Sequence, residues 1–270
     1  MLPSSSGQAP YSLHFSSVKL LGDDTVVAAP LGRGIKRKRG DGPWERMDEG
    51  LPADTHVNRL QVDDRTVFAC ADADLFEYDG AVWRSAGLGT ACLQYRSFAG
   101  WRYAATTGGI RFATPDNPLQ WQPMTSSRSV VYDFLILPEF IVLGTDKGLS
   151  IYDRYTQRWM HYRIGAAVTS LAVFWGVLVG VTDRGELLVG NGSGGFDSYR
   201  IGKLFLFALS AKGEDVFACA DQGLYRLNRL GARCCLSAVK LGCQVTDADT
   251  DGNSIYMATL FEGIQVSDRR

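Results

Sequence analysis

A repeat with a period close to 38 residues constrains this chain more than any other feature of its sequence. The motif VFACAD occurs at 67–72 and again at 216–221, an offset of 149 residues. A second marker, mostly aromatic and always placed after a turn, recurs at intervals of 39, 38, 38, 37 and 38 residues. Its members are Trp44, Trp83, Trp121, Trp159, Phe196 and Cys234. A fixed period in this range indicates a propeller or a solenoid.

Each repeat contains four short runs that alternate like β-strands. In the second repeat these runs are VNRLQV, TVFACA, LFEYD and VWRSAG, at 57–62, 66–71, 75–79 and 82–87. Turn residues such as DDR and DG separate them, and no segment carries a sustained helical period with caps. Four strands in about 38 residues make one blade of a β-propeller. The sequence therefore predicts an all-β fold and disfavours a helical solenoid.

The number of repeats predicts seven blades in a single domain spanning 1–270. The expected blade starts are Val18, Val57, Cys92, Val131, Val168, Leu206 and Val245. The seventh repeat has only three runs, whereas a spare run, YSLHF at 11–15, precedes the first. We expect 11–15 to close the ring as the outer strand of the last blade, which would protect its edge. Residues 1–10 are expected to be flexible.

Parts of the repeat resemble a known family. LPADTHVNRL followed by ADADLFEYD, together with TDKGLSIYD and ADQGLYRL, resembles the propeller repeat of two-component regulators. The resemblance covers nearly the whole chain and implies the propeller fold. In that family the repeats form sensor domains joined to membrane helices and kinases. This sequence shows neither, so we do not expect a sensor-kinase role.

Composition narrows the class of protein. Hydrophobic residues make up 46% and charged residues 21% of the chain, and the net charge is −1. A chain this close to neutral has no global field to attract nucleic acid or a membrane surface. The first ten residues do not resemble a secretory signal, and no apolar run is long enough to span a bilayer. The six Cys form no C-x-x-C pair, which argues against a structural zinc site. Cys70 and Cys219 lie in apolar strand-like runs, where Cys acts as a small buried hydrophobe, so we expect a cytoplasmic protein with free thiols.

Two motifs suggest ligands but fit turns better. GNGSGG at 190–195 matches a nucleotide-binding loop, yet it lies between predicted strands, whereas that loop must open a helix. DADTDG at 247–252 begins like a calcium loop, but Ala258 stands where an EF-hand needs Glu. We therefore expect no cofactor and no metal.

Repeated and clustered charges also have two interpretations. Asp72, Asp146, Asp183 and Asp221 recur in the second turn of a blade, where they could hold a cation or simply stabilise the turn. IKRKRG at 35–40 resembles a polyanion-binding patch. It also falls where blade one is expected to pass from its third to its fourth strand, and basic residues there protect an outer edge. The structural interpretation is preferred for both features.

The predicted first strands bring a mixed set of polar residues to the central channel. His56 lies just before one of these strands, and the equivalent positions gather Arg59, Gln94, Asp133, Ser170 and Asp247, with Tyr132 beside them. Such a set could bind a small ligand or perform acid–base chemistry through His56, Arg59, Asp133 and Asp247. The alternative is a solvated channel rim. No G-x-S-x-G motif for a nucleophile is present.

The turns between first and second strands emerge on one face of the ring and differ between blades. They are polar in blades one, two, six and seven, but read FAGW, LPEF and FWG in blades three, four and five. This places apolar residues on three consecutive blades: Phe98, Trp101, Leu137, Pro138, Phe140, Phe174 and Trp175. A contiguous apolar patch usually marks a binding surface. Alternatively, some of these rings fold back between blades.

Two functions from different classes remain open. The preferred hypothesis is a non-catalytic interaction module that binds a protein partner, or a second copy of the chain, through this patch. The alternative is an enzyme of the lyase, hydrolase or cyclase type, or a small-ligand binder, with its site at the channel mouth. The sequence presents the patch more clearly than it presents a catalytic pocket.

Overall fold

The computed structural model describes residues 14–22, 24–32, 34–124, 129–231 and 233–269, and these residues form an all-β structure without helices. No helix in this part of the chain is therefore long or apolar enough to cross a membrane. The strands form seven antiparallel sheets, each following chain order, and the sheets are arranged as the blades of a propeller. The fold class predicted from the repeat is confirmed.

Blades one to four contain the first sixteen strands. Blade one holds β1 (Phe15–Leu20), β2 (Thr25–Pro30), β3 (Lys36–Arg39) and β4 (Glu45–Arg46). Blade two holds β5 (Val57–Asp63), β6 (Thr66–Ala71), β7 (Leu75–Tyr78) and β8 (Trp83–Ser85). Blade three holds β9 (Cys92–Phe98), β10 (Trp101–Thr106), β11 (Gly109–Thr114) and β12 (Asn117–Pro123). Blade four holds β13 (Val131–Ile136), β14 (Phe140–Thr145), β15 (Gly148–Asp153) and β16 (Arg158–Arg163).

Blades five to seven complete the ring. Blade five holds β17 (Val168–Phe174), β18 (Val177–Thr182), β19 (Leu187–Gly190) and β20 (Phe196–Tyr199). Blade six holds β21 (Leu206–Lys212), β22 (Asp215–Ala220), β23 (Gly223–Leu230) and β24 (Arg233–Leu241). Blade seven holds β25 (Val245–Thr250), β26 (Ser254–Thr259) and β27 (Ile264–Asp268), its three strands in the described part of the chain.

The predicted blade starts are correct for blades two to seven, and the first is wrong by three residues. Phe15 pairs with Pro30 in blade one, so it belongs to the innermost strand and not to a closing strand at 11–15. His14 continues the same pairing through its carbonyl, which accepts a hydrogen bond from Leu31 N at 2.8 Å. The rest of the proposed closing strand lies outside the described residues.

Hydrophobic clusters lie between neighbouring blades, because each sheet buries both of its faces. Second strands such as TVFACA and FIVLGT are almost entirely buried, so they read as continuous apolar runs. Small residues there let blades approach closely. A Cβ on Gly144 would lie 2.6 Å from the carbonyl oxygen of Val168 in blade five. Cys70 and Cys219 are buried at the equivalent ladder position of blades two and six.

The ring closes through the innermost strands of the first and last blades. β1 contacts β25 directly, and Val18 and Val26 share one buried cluster with Ala258 of blade seven. Apolar burial on both faces of blade seven stabilises its sheet, which has three strands in the described part of the chain.

Two sequence motifs take structural places. GNGSGG forms the turn between β19 and β20, where Asn191 Oδ1 accepts hydrogen bonds from Ser193 N and Gly195 N. The basic run is β3, the third strand itself, and not the junction to the fourth strand. The two-residue strand β4 covers only Lys36 and Arg37. The outer edge of β3 at Lys38 and Arg39 therefore has no β4 partner. The positive charges of these two residues oppose pairing of that edge with a strand from another molecule.

Candidate functional site

A belt of side chains surrounds the channel at a β-bulge that recurs in every innermost strand. The ladder between first and second strands shifts register at the same place in all seven described sheets, and this re-aims the next side chain. The residues at this position are Ser17, Arg59, Gln94, Asp133, Ser170, Ala208 and Asp247. The channel positions predicted from the sequence are thus equivalent in the structure.

Four belt residues accept a hydrogen bond from the backbone of the next blade. Ser17 Oγ accepts from Leu60 N at 3.1 Å and Ser170 Oγ from Leu209 N at 3.0 Å. The carboxylates act in the same way, Asp133 toward Leu171 N at 2.8 Å and Asp247 toward Val18 N at 3.2 Å. These bonds join blades one to two, four to five, five to six and seven to one.

Asp133 is buried and surrounded by donors. Its Oδ1 accepts from Gln94 Nε2 at 3.0 Å, Arg96 Nη2 at 3.2 Å and Phe134 N at 2.8 Å. Arg59 Nη1 lies 3.8 Å from Oδ2, which also accepts from Leu171 N. The structure therefore brings Arg59 and Asp133 together as predicted, but as an ion pair whose carboxylate lone pairs are occupied.

The acidic residues of DADTDG are held by separate partners. Asp247 Oδ2 lies 2.6 Å from Lys19 Nζ, and Asp249 Oδ1 lies 2.7 Å from Lys212 Nζ. Asp251 caps the following turn by accepting from Asn253 N and Ser254 N, and these bonds lower the pKa of its carboxyl group. Among the described residues no three His, Cys, Asp or Glu converge as metal ligands.

His56 occupies a different environment. Its side chain is exposed just before β5, and its carbonyl accepts a hydrogen bond from Asp72 N at 3.1 Å. The repeated turn aspartates close this edge of the blades: Asp183 Oδ1 accepts from Ala167 N and Asp221 Oδ1 from Phe205 N. At those two positions the carboxylate stabilises a turn, which is the preferred interpretation of the repeat.

The turns between first and second strands form a second candidate site. Phe98, Trp101 and Trp175 are exposed, at 41%, 38% and 66%. Phe174 is only 4% exposed and packs between blades five and six. Leu137 and Phe140 are half-buried against the cluster between blades four and five. Phe174 is therefore wrong as a surface residue, because its ring packs into the cluster between blades five and six.

Two residues of this surface were not predicted from the sequence. Tyr155, 78% exposed, and Arg154 follow β15, in the turn between the third and fourth strands of blade four. Antiparallel order places this turn on the same face as the first turn of each blade. Arg154 Cζ lies 5.8 Å from the centre of the Phe98 ring in blade three. Its Nη1 donates to the carbonyl of Pro138 at 3.3 Å, so it links two blades of the patch.

The backbone of Trp175 is unusual for an aromatic residue. Trp175 and Gly176 form a two-residue hairpin turn, with φ of 50° and 75°. Such turns favour Asn, Asp or Gly, because a Cβ at positive φ is strained. The sequence nevertheless places its most exposed tryptophan there.

Comparison with known proteins by sequence found no matching family model and no similar curated protein. Comparison by structure found many propellers. The extracellular domain of the putative one-component system BT4673 from B. thetaiotaomicron aligns with a TM-score of 0.76 and 14% identity over 94% of this chain. The chain spans 38% of that protein.

Other structural neighbours have comparable length. Virginiamycin B lyase from Staphylococcus aureus aligns with a TM-score of 0.75 and 11% identity, covering 94% of each chain. YCF48, solved bound to D1 peptide, aligns with a TM-score of 0.72 and 13% identity over 97% of this chain and 94% of its own. The chain is thus a seven-bladed β-propeller. Its structural neighbours also include the extracellular domain of the putative hybrid two component system BT3049 from B. thetaiotaomicron, which aligns with a TM-score of 0.75 and 14% identity.

Proposed function

We propose that this propeller is a protein-interaction module. It binds a protein partner, or a second copy of itself, through the face that carries the first turns of blades three to five. The proposed surface, called here the aromatic face, consists of Phe98, Trp101, Arg154, Tyr155 and Trp175. Leu137, Phe140 and Phe174 support it from below as part of the cores between blades.

The conformation of Trp175 is the observation that carries this proposal. An aromatic residue at positive φ costs on the order of 1 kcal/mol relative to Asn or Gly, and its exposed ring gains little from burial in the monomer. A residue that lowers stability in the free protein is expected to contribute elsewhere. Trp and Tyr are the side chains that dominate binding energy at interfaces.

Arg154 gives the aromatic face a mixed character that suits recognition. It packs against the Phe98 ring and donates to backbone carbonyls of blade four. Interfaces are enriched in aromatic residues and arginine, while their centres are depleted in other charges. A peptide-bound propeller among the structural neighbours, YCF48, is consistent with this class of function by analogy of fold alone.

Catalysis at the channel is the weaker alternative. A general base needs a free lone pair within reach of the proton that it removes. The oxygens of Asp133 and Asp247 already accept bonds from cationic side chains and backbone amides. The lyases among the structural neighbours share 11% identity with this chain, so they support the fold and not the reaction.

The test is the double variant Trp101→Ser/Trp175→Ser. We expect it to fold normally and to lose association. Association is measured as self-association by analytical ultracentrifugation and as partner recovery in cell extracts. Leu241→Ser is the matched control, because Leu241 is 58% exposed but lies at the opposite ends of the strands, where β24 finishes.

A strictly monomeric wild-type protein that recovers the same partners as the double variant would reject the aromatic face. Equal losses for the double variant and Leu241→Ser would indicate nonspecific adhesion of apolar residues. Loss in the double variant alone supports the proposal.

A further inference from the structure

A separate pocket of about 340 Å³ lies between blades three and four. Lys147, in the turn between β14 and β15, lines it at the ends of the strands remote from the aromatic face. Its apolar floor consists of Val131, Leu143 and Leu149, and Trp159 of β16 forms one wall. Its volume is at the lower end of the range for small-molecule sites.

The charges that line this pocket have one sign. Lys147 and Arg163 are both exposed at its rim, and no Asp or Glu is among its described lining residues. Within the described chain neither cation forms a salt bridge. Elsewhere in the propeller, buried carboxylates do pair with Lys or Arg side chains. Asp146 and Asp183 line the adjoining groove together with these two cations, but they do not line this pocket. Two cations without an ion pair beside an apolar floor attract an anionic group.

An aromatic row continues from the cations along blade four. The rings of Tyr152 and Trp159 have centroids 5.0 Å apart, and the His161 ring lies parallel to Trp159 with an interplanar angle of 5°. Ser150 Oγ lies 2.9 Å from His161 Nδ1 and fixes the imidazole. Trp159 and His161 both line the pocket, so they offer aromatic rings next to hydrogen-bonding groups, and planar ligand rings pack well against such side chains.

We propose that this pocket binds a small organic anion. The ligand would have a planar, apolar body against Trp159 and a phosphate, sulfate or carboxylate group between Lys147 and Arg163. The site goes beyond the proposed function, because its two cations lie at the opposite ends of the strands and it uses no residue of the aromatic face.

Isothermal titration with phenyl phosphate tests the site, with benzyl alcohol and inorganic phosphate as partial ligands. We expect saturable binding of phenyl phosphate with one site per chain, and weaker binding of either partial ligand. Lys147→Gln/Arg163→Gln should weaken it about tenfold or more, because the variant lacks both cations that would pair with the anionic group. Trp159→Leu should weaken binding of phenyl phosphate but not of inorganic phosphate.

Arg158→Gln is the matched control, because Arg158 is an exposed cation of the same strand outside the pocket, and it should bind like the wild type. The proposal is overturned if phenyl phosphate, phenyl sulfate and phenylacetate all fail to bind. It is also overturned if benzyl alcohol binds equally well, or if the double variant and Arg158→Gln behave alike. Trp101→Ser/Trp175→Ser should retain binding, which separates this result from the proposed function.

Discussion

At the residue scale, Asp133 shows how one side chain can join several blades. Only 1% of it is exposed, and its two oxygens bind groups from blades three, four and five. Arg59 adds blade two through an ion pair. This carboxylate contributes to the stability of the fold, because it accepts hydrogen bonds from donors that would otherwise be buried without a partner at the centre of the ring.

Asp133→Asn should therefore destabilise the propeller. The substitution preserves shape but removes the charge opposite Arg96 and turns one acceptor into a donor that faces Leu171 N. Breaking a buried pair in this way costs about 3 kcal/mol, measured as a lower midpoint of urea unfolding. Asp146→Asn, an exposed turn position, should leave the midpoint unchanged. Equal midpoints for the two variants would contradict the role of Asp133.

The cysteines provide a second prediction at this scale. All six are free, and Cys70, Cys92, Cys219 and Cys243 are buried, whereas Cys235 is exposed. Burial raises the pKa of Cys92 and Cys219, and more weakly that of Cys234. Because the thiolate is the reactive form, Cys235 should account for one fast thiol in a reaction with Ellman's reagent at pH 8.

Cys235→Ser should abolish that fast phase, while Cys234→Ser should retain it. Unfolding in guanidinium should then expose the remaining thiols. A fast phase that survives in Cys235→Ser would show that a buried cysteine is accessible in the native protein.

At the element scale, the turn between β17 and β18 is predicted to balance stability against binding. Trp175→Asn replaces a strained aromatic residue with one that the positive φ favours. We expect the free energy of unfolding to rise by about 1 kcal/mol as the backbone strain is relieved, while association through the aromatic face falls. A thermal melt and sedimentation velocity on the same sample measure both quantities.

A decrease in stability for Trp175→Asn would contradict the strain argument, because it would mean that the ring packs against the protein. Gly213→Asn is the matched control: Gly213 also has positive φ in the corresponding turn of blade six. It should change stability little and leave association intact.

At this scale the sequence predicted the positions of the turns but not the directions of their side chains. FAGW, LPEF and FWG are all rich in apolar residues, and each joins the expected strands. Phe98 remains exposed whereas Phe174 packs against blade six, because burial depends on how closely the next blade approaches. Tyr155 was not predicted, because it lies in the turn between the third and fourth strands. The antiparallel order of the sheet brings that turn to the same face as the turns between first and second strands.

At the scale of the whole molecule, closure rests on contacts between β1 and β25 and on a shared cluster around Val18 and Ala258. The outermost strand of blade seven, β27, has no strand partner on its outer side among the described residues, and its Val266 is exposed. The sequence prediction that residues ahead of His14 add a fourth strand stays a prediction.

Deleting residues 1–13 tests that prediction. If these residues cover β27, their loss should lower the melting temperature by several degrees, because a strand edge and its apolar side chains become solvated. Deleting only residues 1–8 leaves the predicted strand intact and should have no effect. Identical calorimetric melts for the two deletions would contradict closure by this segment.

The repeat in the sequence was enough to predict the propeller, its seven blades and nearly every blade start, because periodic turns and buried second strands are local patterns repeated along the chain. It also placed Arg59, Asp133 and Asp247 at equivalent positions. The ion pairs of these residues could not be predicted from the sequence. In the folded ring Asp133 pairs with Arg59 and Arg96, and Asp247 pairs with Lys19. Those partners lie on other blades, and their distances depend on how the ring closes, which no local pattern encodes.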